Sequence, residues 1–104
     1  MFLIVWKYKV HADREDDFRD AYGPDGDWAR LFARYDGFLG TELIITDEPC
    51  RYMTIDRWDS EQSFNAFMER DHGEYQRLDE RFEALTVSED LVGKGTMVET
   101  GVPG

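Results

Sequence analysis

Phe38-Leu39-Gly40-Thr41-Glu42-Leu43-Ile44-Ile45-Thr46 passes through Asp47-Glu48-Pro49 into Cys50-Arg51-Tyr52-Met53-Thr54-Ile55-Asp56-Arg57-Trp58. Two runs rich in β-branched, aliphatic and aromatic residues flank a short proline-bearing turn, the pattern of an antiparallel hairpin. On its N-terminal side Asp36-Gly37 closes a helical piece whose Trp28, Leu31, Phe32 and Tyr35 recur at i, i+3, i+4 and i+7. An earlier helix starts at Asp13 and crowds acidic residues into its first turn, where the helix dipole favours them. It carries Phe18, Ala21 and Tyr22 on one side and stops at Gly23-Pro24-Asp25-Gly26. Before it, Phe2 to Val10 reads as a strand in which Trp6, Tyr8 and Val10 alternate with Lys7 and Lys9. On the C-terminal side of the hairpin, Asp59 or Ser60 caps a further helix, Asp59 with Gln62 resembling a capping box. That helix carries Phe64, Phe67 and Met68, breaks near His72-Gly73, and resumes with Tyr75, Leu78, Phe82 and Leu85 on one side. Leu91 to Glu99 forms the last strand.

The order is therefore β, α(α), β, β, α(α), β. It predicts an α+β fold of the ferredoxin-like, split βαβ kind: a four-stranded antiparallel sheet with helices on one face. The 104 residues suit one domain, spanning 1–100, with a flexible tail at 101–104. Phe2-Leu3-Ile4-Val5-Trp6, Leu43-Ile44-Ile45 and Met53-Thr54-Ile55 are apolar or neutral at successive positions, so both sheet faces carry apolar side chains. The helices cover one face only. The other predicts a homodimer with two sheets packed face to face.

Twelve Lys and Arg against 23 Asp and Glu give a formal charge of −11, which repels nucleic acid and anionic membranes alike. The apolar run Phe2 to Trp6 is shorter than the ~7–15 residues of a signal core or the ~20 of a membrane span. The lone Cys50 closes no internal disulfide and fits a reducing, cytoplasmic setting. No spacing of His, Cys and carboxylates supports a metal site. The neutral or apolar partners that remain are a small molecule and the chain itself.

Tyr35-Asp36-Gly37-Phe38-Leu39-Gly40-Thr41-Glu42-Leu43, then Tyr52 to Ser60, then Ser63-Phe64-Asn65-Ala66-Phe67 together resemble the antibiotic biosynthesis monooxygenase (ABM) family. There a glycine-rich approach to the second strand precedes a strand ending in Trp, a helix cap and a helix with paired aromatics. The similarity covers Phe2 to Gly95 and implies a dimeric α/β barrel. One branch implies oxygenation of aromatic polyketides or quinols by molecular oxygen with no metal, flavin or other cofactor. Another branch degrades haem through an Asn late in the first strand, a helical Trp and a His about ten residues beyond. This chain offers Trp6, Lys7 and Tyr8, then Phe67, then Arg77 at those places, which disfavours haem degradation. Members without established activity leave a third reading, a non-catalytic ligand-binding or structural homodimer.

The candidates for chemistry are His72, Asp56 and Tyr75. His72 is a histidine, the side-chain type that can exchange protons near neutral pH, and lies at the expected helix break; as a solvated helix-end residue it has no role. Asp56 sits inside a strand on the side of Tyr52, Thr54 and Trp58. A carboxylate there facing a helix-covered cavity has a raised pKa and serves as a base; an ion pair across the sheet is the alternative. Trp6, Tyr8, Trp28, Phe32, Tyr52, Phe64 and Phe67, with Tyr75, are the rings expected to line an apolar slot between helices and sheet. His11 reads as a loop or capping residue, and Cys50 as a thiol with no neighbouring base.

Overall fold

A computed structural model describes residues Met1–Val98. The elements are β1 (Phe2–Val10), α1 (Glu15–Tyr22), α2 (Asp27–Phe32), β2 (Phe38–Ile45), β3 (Arg51–Trp58), α3 (Glu61–Phe82), a 3-10 turn (Glu83–Leu85) and β4 (Thr86–Thr96). The four strands form one antiparallel sheet in the order β2-β3-β1-β4, the ferredoxin-like arrangement expected. β4 ends at Thr96, short of the expected Glu99, which with the tail at 101–104 lies outside the described residues. No helix among the described residues is long and apolar enough to cross a membrane.

Three local expectations are corrected. β4 begins at Thr86 rather than Leu91, and Leu85 belongs to the 3-10 turn, not to the helix. Ser88-Glu89-Asp90 is polar enough to read as loop, yet β4 is an edge strand, where polar residues are tolerated. Lys7 stands directly opposite Asp90, so charge complements the ladder. The cap of α3 is Ser60, whose Oγ accepts from the Ser63 N–H at 3.2 Å, in place of the Asp59–Gln62 pair. The break expected near His72-Gly73 is present: Asp71, one position before His72, is non-helical (φ −117°, ψ 26°).

The helices pack on the side of Phe2, Ile4, Tyr8 and Val10 from β1 and Tyr52, Thr54, Asp56 and Trp58 from β3. Trp58 anchors this core, its ring centroid 5.2 to 5.8 Å from those of Phe32, Phe38, Phe64 and Phe67. The tie between β2 and α3 runs through Gly37, at φ +97°. A Cβ there would stand 2.6 Å from Ser63 Oγ and 2.7 Å from Asp59 Oδ1, and the Asp59 N–H donates to the Gly37 carbonyl at 2.7 Å. On the opposite sheet face lie Leu3, Val5, Ile44, Met53 and Ile55, with Ile44 37% exposed. Among the described residues nothing covers that face.

Candidate functional site

The floor of the space between sheet and helices is laid in rows across the strands. Thr41, Asp56, Ile4 and Lys94 share one row; Leu43, Thr54, Trp6 and Leu91 share the next; Ile45, Tyr52, Tyr8 and Glu89 share the third. A register shift in the β1–β4 ladder, between Val5 and Trp6, brings Leu91 and Lys94 to this face. Tyr22 from α1, Trp28 and Phe32 from α2, and Phe64, Met68, Tyr75 and Asp79 from α3 form the walls and roof. They enclose a cavity of about 200 Å³ bounded on the floor by Ile4, Trp6, Tyr8, Thr41, Thr54, Asp56 and Trp58, with Glu89, Leu91 and Lys94 along β4. The apolar, aromatic wall with few polar groups is that of a small-molecule site.

Asp56 is the chemically pointed group. It is 9% exposed, and Thr41 Oγ1 donates to its Oδ1 at 2.7 Å. None of the ion pairs among the described residues includes it. Lys94, in the same row, is two strands away, a Cα separation of about 10 Å. Burial raises the Asp56 carboxyl from 3.8 to about 6, and the Thr41 hydrogen bond opposes that rise without cancelling it. An ionised Asp56 is thus an uncompensated acceptor beside a cavity, suited to take a proton.

Three phenols line the same space, and burial pushes each upward. Tyr75 rises to about 12, and Tyr8 and Tyr22 rise further. Tyr8 OH shares a hydrogen bond of 3.1 Å with Thr54 Oγ1. The Trp28 indole lies near enough to the Tyr22 oxygen to oppose its rise, but is not aligned for a hydrogen bond. Trp28 Nε1 and Trp58 Nε1 are buried and without partners among the described residues.

Of the residues singled out from sequence, Asp56, Tyr75, Trp6, Tyr8, Trp28, Phe32 and Phe64 meet at this cavity. Three do not. Tyr52 shares the floor face but lies under α1, where its ring is 5.0 Å from that of Phe18 and its hydroxyl donates to Glu15 at 2.8 Å. Phe67 is fully buried, wedged among Phe32, Tyr35 and Trp58 at 5.1 to 5.7 Å. His72 is exposed just past the Asp71 irregularity and does not line the cavity. Sequence reasoning passed over Thr41 and Thr54, which look like ordinary strand formers, and Tyr22, placed only on the apolar side of the first helix. It also passed over Asp79 and Glu89; the i, i+4 spacing of Tyr75 and Asp79 was the available signal for the first.

The family model for antibiotic biosynthesis monooxygenases matches residues 1–77. The chain belongs to this family. No curated protein matches it in sequence. Among solved structures it is similar to SnoaB, a cofactor-independent oxygenase from Streptomyces nogalater, at 22% identity and a TM-score of 0.70, over 99% of this chain and 97% of that one. It is similar also to the monooxygenase from the gene ActVA-Orf6 of Streptomyces coelicolor, solved with the ligand nanaomycin D, at 18% identity and a TM-score of 0.74, over 99% and 92%. NE2512 of Nitrosomonas europaea, a protein of unknown function, matches at 12% identity and a TM-score of 0.68, over 99% and 94%. At such identities the ABM member described here shares the fold of these structures, and its chemistry rests on its own residues.

Proposed function

We propose that this ABM protein binds a small, largely aromatic molecule in the helix–sheet cavity and oxygenates a phenol- or quinol-type substrate with molecular oxygen and no added cofactor. The supporting observation is Asp56, an unpaired carboxylate on the floor of an aromatic cavity. Asp56 accepts the phenolic proton, and the electron-rich anion left behind reacts with oxygen. For an activated methylene between aromatic rings the balance closes: two C–H bonds are replaced by a carbonyl, one oxygen atom enters the product and the other leaves as water. The substrate supplies all the electrons, so no external reductant enters. The aromatic walls orient the rings and exclude water from the anion.

Oxygen uptake with a panel of hydroquinones and anthrone-type phenols tests this reading. Turnover is expected, with a loss of about 100-fold or more in Asp56→Asn. Tight binding by a well-folded protein with no turnover across the panel overturns it and leaves a non-catalytic ligand-binding protein.

The exposed sheet face supports a homodimer. Val5 and Ile55 are paired at its centre, and a second copy laid on the same face buries them isologously. The lone Cys50 suits a reducing cytoplasm.

A further inference from the structure

The end of the cavity away from Asp56 has a different character. Tyr22, Trp28 and Tyr75 stand together there, with ring centroids 6.0 Å apart for Tyr22–Trp28 and 5.1 Å for Trp28–Tyr75. Asp79, four residues after Tyr75 on α3, and Glu89, directly across from Tyr8 on β4, lie beside these rings and line the same cavity. Neither carboxylate takes part in any ion pair among the described residues; the nearby Arg81 pairs instead with Asp27 at 3.7 Å. The one cation of the lining, Lys94, stands in the Asp56 row, its Nζ 6.0 Å from the Phe64 ring centroid. Three rings and two unpaired carboxylates around one space form an aromatic cage with excess negative charge, an arrangement that attracts a cation and repels an anion.

We propose that the cavity selects a ligand carrying a protonated amine, its ammonium seated among Tyr22, Trp28 and Tyr75 against Asp79 and Glu89, and rejects anionic ligands. This rests on the reading that the cavity binds a small aromatic molecule. The chain's own phenols report the same negative field: after burial, the charges of Asp79 and Glu89 push Tyr22 and Tyr75 further from ionisation, Asp56 adds to the push on Tyr75, and Asp56 ahead of Glu89 does the same to Tyr8. Glu89 is itself raised, by burial and then by Asp79. The ionisable hydroxyl of a substrate belongs within reach of Asp56, the proposed base. The ligand class is therefore two-ended, with a hydroxyl or carbonyl toward Asp56 and an amine toward the cage.

Calorimetric titration near neutral pH with three matched probes tests this: naphthylmethylamine (cationic), naphthylmethanol (neutral) and naphthoate (anionic). The amine should bind about tenfold more tightly than the alcohol, and the carboxylate most weakly. The amine-to-alcohol ratio should fall toward one in the Asp79→Asn/Glu89→Gln double variant, and in the unaltered protein on raising salt from about 0.05 to about 0.5 M. Equal binding of amine and alcohol, or preference for the carboxylate, overturns the charge selection while leaving the cavity reading intact. Binding of none of the three overturns both.

Discussion

Thr41 and Asp56 face each other across the β2–β3 ladder, and Thr41 Oγ1 gives Asp56 Oδ1 its single hydrogen bond among the described residues, at 2.7 Å. Asp56 is thereby held in one orientation on the cavity floor without being neutralised. One hydroxyl does not match the hydration that a carboxylate loses on burial.

Asp56 should therefore lower stability at the pH where it works. Its folded pKa, about 6, lies above the unfolded 3.8, so the folded state holds the proton more tightly. The resulting stabilisation is complete below about pH 4 and is lost as pH rises through 6. Asp56→Asn retains an acceptor for Thr41 and removes the charge. Urea unfolding at pH 8 should find the variant more stable by about 1–3 kcal/mol, with the difference shrinking toward pH 4. Equal stability at pH 8 would show that the ionised carboxylate finds compensation in solution.

If Asp56 is the base, kcat/KM falls as pH drops through about 6, because the protonated form cannot accept a proton. Thr41→Val keeps the shape of the side chain and deletes the donor. Since the Thr41 bond lowers the carboxyl, its removal should move the acid limb of the profile toward neutral pH. A limb that stays put would separate the observed titration from Asp56.

Gly37→Ala imposes both a left-handed backbone at φ +97° and a Cβ within 2.7 Å of Ser63 Oγ and Asp59 Oδ1. The expected cost is about 2 kcal/mol or more, read from denaturant unfolding. A loss of a few tenths would mean that the α3 cap swings aside freely.

On the open sheet face, Ile55→Lys places a charge at the centre of the apolar patch, directly opposite Val5. Light scattering should show a dimer for the parent chain and a monomer, or a dimer weakened about 100-fold, for the variant. A parent chain that runs as a monomer at high concentration would refute the homodimer.

The architecture was legible where side-chain period and burial agree. β1 and β3 alternate between a helix-covered face and an open one, and the alternation of Trp6, Tyr8 and Val10 with Lys7 and Lys9 carries that directly. β4 was misplaced at its start because Ser88, Glu89 and Asp90 carry no apolar period, and the pairing that makes them a strand comes from Lys7 and its neighbours, distant in sequence. For the site, alternation told which face Asp56 occupies but not which part of that face is filled. Tyr52 and Tyr8 sit opposite one another on the same face, yet α1 closes over Tyr52 while Tyr8 reaches the cavity. Phe67 and Phe64 share one helix stripe, and the Phe32–Tyr35–Trp58 cluster takes up the first and leaves the second at the wall. Such distinctions depend on the volumes of neighbours brought in by other elements.

The chain has three tryptophans, Trp6, Trp28 and Trp58, and all of them border the cavity. Its whole indole emission therefore originates at the wall of one small space. An occupant that absorbs in the near ultraviolet, as a quinone does, would quench every emitter at once, so the protein carries an unlabelled optical gauge of whether its cavity is filled.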